Sequence, residues 1–187
     1  MHAWGSPRPG RVPSRYRVAA GWLLGAAVFV LAGPRPAPFV AAGLGLALLG
    51  ESIRLWASGH IDKTRALATG GPYAHTRNPL YLGSLLIGLG VVVAVASPWA
   101  AGLVALYFAL FYPRVMREEA RFLGEKFPEA YAAWASAVPF FLPRPTPGGP
   151  RATRFEWSRV GANREWRTAA ALPLLVALLY LRGQAFP

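Results

Sequence analysis

Apolar positions along the chain gather into five runs, covering residues 18–32, 39–57, 80–96, 99–112 and 168–181. A helix that crosses a membrane takes about 20 residues, with a range of roughly 17–25. The second and third runs meet that length, and Tyr16 and Gly33 extend the first. The first, fourth and fifth are marginal by strict count. Trp22, Trp99, Tyr107, Tyr112 and Tyr180 lie in or near these runs, some of them where interfacial aromatics are expected. Only Ser97-Pro98 separates the third run from the fourth, which predicts a tight helical hairpin. Beyond residue 112 the apolar positions thin to a stripe in which Val115, Phe122 and Leu123 recur at helical spacing. The fourth helix is therefore expected to continue past the bilayer as an amphipathic stretch. Glu119 falls within that stripe, and Glu118 on its flank. Pro128 ends this helix and opens a short one carrying Tyr131 and Trp134. The pattern predicts an all-α integral membrane protein of about five transmembrane helices, with a cytosolic amphipathic segment before the last.

Composition supports this reading. Hydrophobic residues make up 54% of the 187 and charged residues 15%, too little charge to cover a soluble surface. The length suits one domain. The net charge of +12 and pI of about 11.2 raise nucleic acid as a partner, but the charge falls in blocks between apolar runs, and no nucleic-acid role is expected. The segment before the first run holds four Lys/Arg, residues 54–77 hold four and residues 114–167 hold ten, against two elsewhere, Arg35 and Arg182. By the positive-inside rule the N-terminus and both long polar stretches are cytosolic, in a cell inner or plasma membrane. The Arg-rich start resembles a signal-peptide n-region, but it is long and proline-rich, and four more runs follow. A retained first helix is expected. Cysteine is absent and there are three histidines, so thiolate chemistry is excluded and no metal site is expected. The chain divides into a basic N-terminal segment (1–17), a membrane core (18–143), a basic linker (144–167) and an added C-terminal helix (168–187).

Any chemistry then belongs to two cytosolic segments. In the first, Gly70-Gly71-Pro72 is a turn, and Asn78-Pro79 is a helix start with Asn as N-cap and Pro at the first helical position. A helix N-terminus at the membrane surface seats a carboxylate through free N–H groups and the positive dipole end. Arg77 adds a charge-assisted bond there or meets phospholipid headgroups. Tyr81 lies one turn on, on the face shared with Arg77, as a ligand contact or as packing. In the second segment, Arg114 and Glu118 form at the least an i,i+4 surface pair. A carboxylate on an apolar stripe at a membrane edge is costly unless paired, and is a functional candidate for that reason.

Gly71-Pro-Tyr73, Arg77-Asn-Pro-x-Tyr81-x-Gly83, Glu118-Glu119 and a downstream Phe127, Tyr131, Trp134 and Val138-Pro139 resemble the isoprenylcysteine carboxyl methyltransferase family. That family lies within the wider group of membrane phospholipid methyltransferases. The resemblance covers about residues 50–143 and implies a metal-independent enzyme using S-adenosyl-L-methionine. It implies that Tyr73, Asn78, Pro79, Leu80, Tyr81 and Glu118 surround the cofactor, with Arg65, Ala66, Leu67 and Ala68 as a further contacting stretch. Arg77 and Glu119 belong to the same set. Arg114 would face the methyl acceptor, sharing the catalytic role with Glu118. Two departures, Pro128 after Phe127 and Trp134 in place of a family Tyr, bear on substrate fit.

The residues agree with what the resemblance implies. The helix start with Arg77 suits the cofactor carboxylate, and Glu118 its cationic groups. Methyl transfer requires chiefly alignment and exclusion of water. A lipophilic carboxylate, such as that of a prenylated cysteine, is already ionised and needs no general base, whereas an amine acceptor does. Two other readings remain open: an NADPH-dependent reductase like the steroid reductases, and a non-catalytic protein whose basic segments meet anionic headgroups.

Overall fold

A computed structural model describes residues 20, 21, 23–25, 27, 28, 37–62, 66–163, 165, 166 and 168–171. The basic segment 1–17, Arg65 and all but the start of the last apolar run lie outside these. The described residues form helices and loops, with no strand among them. Helix α1 spans Ala37–Ser58, α2 Pro79–Val95, α3 Pro98–Lys126, α4 Pro128–Ala137 and α5 Trp157–Ala162. A short 3-10 turn, Gly71–Ala74, precedes α2.

Two helices, α1 with 22 residues and α3 with 29, are long and apolar enough to cross a membrane, and α2 is an apolar helix of 17. At 1.5 Å per residue, α1 measures about 33 Å and α3 about 43 Å, against a hydrocarbon core of about 30 Å. The excess length of α3 is its charged C-terminal part, as the thinning stripe predicts. The outer faces are apolar: Leu48, Leu49, Leu106 and Leu110 are each more than half exposed. In water that surface is a liability; in lipid it is the expected one.

The same helices bury small residues where they meet. Helices α1 and α2 approach along two glycine pairs, Gly43 with Gly90 and Gly50 with Gly83. A Cβ on Gly50 would lie 2.5 Å from the Gly83 carbonyl oxygen, and a Cβ on Gly83 equally close to that of Gly50. With no hydrophobic effect between helices in lipid, such backbone proximity is what supplies van der Waals packing. The hairpin forms where expected. Ala96 leaves α2 in the left-handed region (φ 47°), Ser97 is extended, and Pro98 opens α3. Val28, from the described part of the first run, packs with Val95 and Ala100 at this end.

The stretch after α4 departs from the linker expectation, because its described residues are docked. Arg144 N–H bonds the His75 carbonyl (3.0 Å), Gly148 N–H that of Ala74 (2.8 Å) and Glu156 N–H that of Gly59 (2.9 Å). Ala152 N–H donates to the Thr69 hydroxyl (2.9 Å), and Asn163 Nδ2 to the Ser58 carbonyl (2.9 Å). Residues 139–163 thus wrap as a strap around the loop that joins α1 to α2. The loop's backbone groups are satisfied by the strap, as buried peptide groups require.

Candidate active site

The α1–α2 loop is held in a fixed shape. Gly71 adopts φ +56°, and any Cβ there would run into the His60 imidazole. His60 is itself buried, with Nδ1 donating to the Trp56 carbonyl (2.9 Å). Pro72 starts the short turn that carries Tyr73 inward. The Tyr73 carbonyl accepts a bond from Trp134 Nε1 (2.9 Å), and the two rings pack 6.5 Å apart. Burial first, and then the nearby Glu119 charge, push the Tyr73 phenol well above its usual value of 10.0, so it stays neutral at physiological pH.

The next three residues are set by the strap. Thr76 Oγ1 donates to the Phe141 carbonyl (2.7 Å), Arg77 N–H to that of Pro139 (2.9 Å) and Asn78 Nδ2 to that of Phe140 (2.7 Å). Asn78 occupies the N-cap position, but its side chain makes no capping bond to α2. The strap has recruited the amide instead, which corrects the expectation that the side chain caps the helix. Arg77 lies over the Phe140 ring (5.2 Å) and donates from Nη1 to Tyr131 (3.3 Å), while its Nε is buried without a hydrogen-bond partner. One turn into α2, Tyr81 donates to Glu119 Oε2 (3.0 Å) and meets the Tyr112 ring edge-on (5.4 Å).

These elements line one open cavity. Ala66, Leu67, Ala68 and Tyr73 form one wall, and Arg77, Asn78, Pro79, Leu80 and Tyr81 the next. Helix α3 contributes Met116, Glu119, Ala120 and Leu123, and Phe127, Tyr131 and Trp134 close the far side. Ten of the residues expected from the sequence therefore meet around one space.

Two do not. Glu118 and Arg114 lie outside the lining, and Arg114 is exposed. The reason is helical geometry: successive side chains turn by about 100°, so the face carrying residues 116, 119, 120 and 123 excludes 114 and 118. Of the expected pair Glu118 and Glu119, it is Glu119 that lines the cavity. Met116, Ala120, Asp62 and Lys126, which also line the cavity, were not singled out. For α3 the signal was present, since 116, 119, 120 and 123 repeat at three and four residues. Among the described residues, no group of three or more His, Asp or Glu is placed to hold a metal ion.

Helices with apolar outer faces, and a largely apolar cavity that holds Arg77 and Glu119, are those expected of a membrane protein. Residues 48–130, which supply α2, α3 and most of the cavity, match the family model described as phospholipid methyltransferase. Over this segment the chain resembles phospholipid methyltransferases.

Two curated relatives are similar over about half of the chain. The chain is 43% identical over 107 residues to the cobalt-zinc-cadmium resistance protein CzcN of Cupriavidus metallidurans, covering 54% of this chain and 49% of the relative. It is 39% identical over 93 residues to the nickel-cobalt-cadmium resistance protein NccN of Alcaligenes xylosoxydans xylosoxydans, covering 49% and 43%. The chain thus spans about half the length of these relatives or less. No solved structure matches it.

Proposed function

We propose that the protein transfers the methyl group of S-adenosyl-L-methionine to a lipophilic acceptor at the cytosolic face of a membrane. One observation carries the proposal. The cavity presents a cation with an unused buried donor, Arg77 Nε, and a carboxylate, Glu119, on α3. An amino-acid zwitterion needs one group of each sign. A buried guanidinium N–H without a partner is costly unless a ligand meets it, so the residues fit this cofactor. Arg77 and the start of α2 would hold its carboxylate. Glu119, oriented by Tyr81, would hold its ammonium or hydroxyl groups, and the aromatic walls at Tyr73, Tyr131 and Trp134 favour a cation. When bound, the cofactor supplies an electrophilic methyl group on sulfur. The chain's own contribution is to align the acceptor and exclude water.

A carboxylate acceptor of the prenylcysteine type suits this site, because it arrives ionised and asks for no base. The five-span arrangement with the N-terminus inside rests on the charge count, and reporter fusions test it. Exposed Arg114, Arg117 and Arg121 share one side of the α3 extension, where anionic headgroups would meet them. Because both relatives are named as metal-resistance proteins, we infer that the methylated product supports growth under cobalt, zinc or cadmium. A deletion strain that grows as well as its parent in those metals would oppose that role.

The test of the activity is calorimetry on detergent-purified protein. S-adenosylhomocysteine is expected to bind, and Glu119→Ala to weaken binding more than Glu118→Ala. Binding of NADPH instead would move the assignment to a reductase, and binding of neither to a lipid-binding role. Mass spectrometry of membranes incubated with labelled S-adenosyl-L-methionine would identify the acceptor.

A further inference from the structure

Arg54 sits near the cytosolic end of α1, outside the cavity lining, with its side chain only 17% exposed. A buried arginine in a membrane helix is costly, so its partners carry information. Each edge of its planar guanidinium faces a different part of the chain. Nη1 donates to the Leu80 carbonyl (3.2 Å) and to the Ser84 hydroxyl, and Ser84 in turn donates to that same Leu80 carbonyl (3.0 Å). Nη2 is paired with the Glu165 carboxylate, and Nε lies 3.8 Å from Glu51 on its own helix. Glu51 and Glu165 are both buried. Gly83 makes room for the arginine's stem, since a Cβ there would fall 2.5 Å from Arg54 Cγ.

We propose that Arg54 is a positioning residue that clamps the first turn of α2, and that Glu165 holds the clamp in place. The proposal rests on the reading that this turn seats the cofactor. Leu80 lies between Asn78 and Tyr81, so fixing its carbonyl fixes the cavity wall on both sides. Glu165 belongs to the C-terminal stretch, beyond the 48–130 segment that defines the family. That stretch is anchored to the end of α1 through Asn163 and Glu156. The arrangement makes the C-terminal stretch part of the site's framework. A lysine offers one charged point and cannot bridge three elements at once.

Hydrogen–deuterium exchange on the full chain in detergent, read at residues 80–85, tests the clamp for the wild type, E165Q and R54K. Binding of S-adenosylhomocysteine to the same proteins tests its link to the site. Both variants are expected to exchange faster in this turn while the end of α2 near Val95 is unchanged. Cofactor affinity is expected to fall about tenfold, the scale of one charge-assisted hydrogen bond, with E165D recovering part of the loss. If R54K does not fold, E165Q, which keeps size and shape, carries the test. Unchanged exchange in E165Q overturns the clamp. Faster exchange with undiminished cofactor affinity overturns the positioning role. Faster exchange in a protein whose wild type binds no S-adenosyl compound leaves the clamp standing and removes the cofactor reading.

Discussion

Substituting Gly83 by alanine tests the packing that the site depends on. A Cβ at Gly83 would lie 2.5 Å from both the Gly50 carbonyl oxygen and Arg54 Cγ, whereas ordinary contact begins near 3.4 Å. Close to 1 Å must therefore be found between α1 and α2, and one of the two obstacles is backbone, which cannot rotate aside. Overpacking of this kind costs about 1–3 kcal/mol. Alanine's better helix propensity returns about 1 kcal/mol at most. The control is Gly45→Ala on α1, where nothing lies within 4 Å of the added carbon and only the propensity gain of up to about 1 kcal/mol remains. Reversible unfolding in detergent micelles, followed by helical circular dichroism, should show Gly83→Ala below the wild type and Gly45→Ala at or above it. Cofactor affinity should fall in the first variant alone, because a shift of α2 off α1 displaces Tyr81 relative to Glu119. Equal stability of the two alanine variants would refute the close-packed interface and, with it, the argument that α1 braces the site.

Three further outcomes are expected. Tyr81→Phe removes the donor to Glu119 Oε2, and a loss of about 1.5–3 kcal/mol for a bond to a charged group would weaken S-adenosylhomocysteine binding by roughly tenfold or more in calorimetry. Trp134→Phe deletes the donor to the Tyr73 carbonyl at a residue 1% exposed. An orphaned buried acceptor costs about 1–3 kcal/mol, readable as a lower midpoint of thermal unfolding. Because the Tyr73 phenol is raised by burial above 10.0, the folded state favours its neutral form. The resulting stability is present below pH 10 and is lost as pH climbs from there towards the folded-state value. Alkaline unfolding should be shallower in Tyr73→Phe, and a profile identical to the wild type would count against the buried phenol.

The hairpin, the amphipathic end of α3 and the break at Pro128 were legible because each has a local cause in Pro, Ser or apolar spacing. The clustering of Tyr73, Arg77, Asn78 and Tyr81 was legible as a motif. The choice between Glu118 and Glu119 was not, since neighbours on a helix differ by a 100° turn that only the packing of α3 decides. Glu119 did fall in the apolar stripe, and that physical signal pointed to the face that lines the cavity. The strap escaped notice for a different reason. It grips the loop through the carbonyls of Pro139, Phe140 and Phe141, an acceptor that every residue carries and no composition reveals. The glycine pairs between α1 and α2 were readable in principle, at spacings of seven in both helices, but hydropathy treats glycine as filler.

The strap also sets the order in which the protein matures. Asn163 bonds the Ser58 carbonyl across 105 residues, and the Arg54–Glu165 pair is closed over a similar separation. Contacts so distant along the chain form late, after loop-closure entropy has been overcome. During synthesis the family segment is complete at residue 130, yet the loop bearing Tyr73 and Arg77 then lacks the acceptors that shape it. Competence is expected only once the strap has emerged and wound back. Changes in the strap should therefore alter how much of the newly made protein becomes competent, through biogenesis as well as through catalysis.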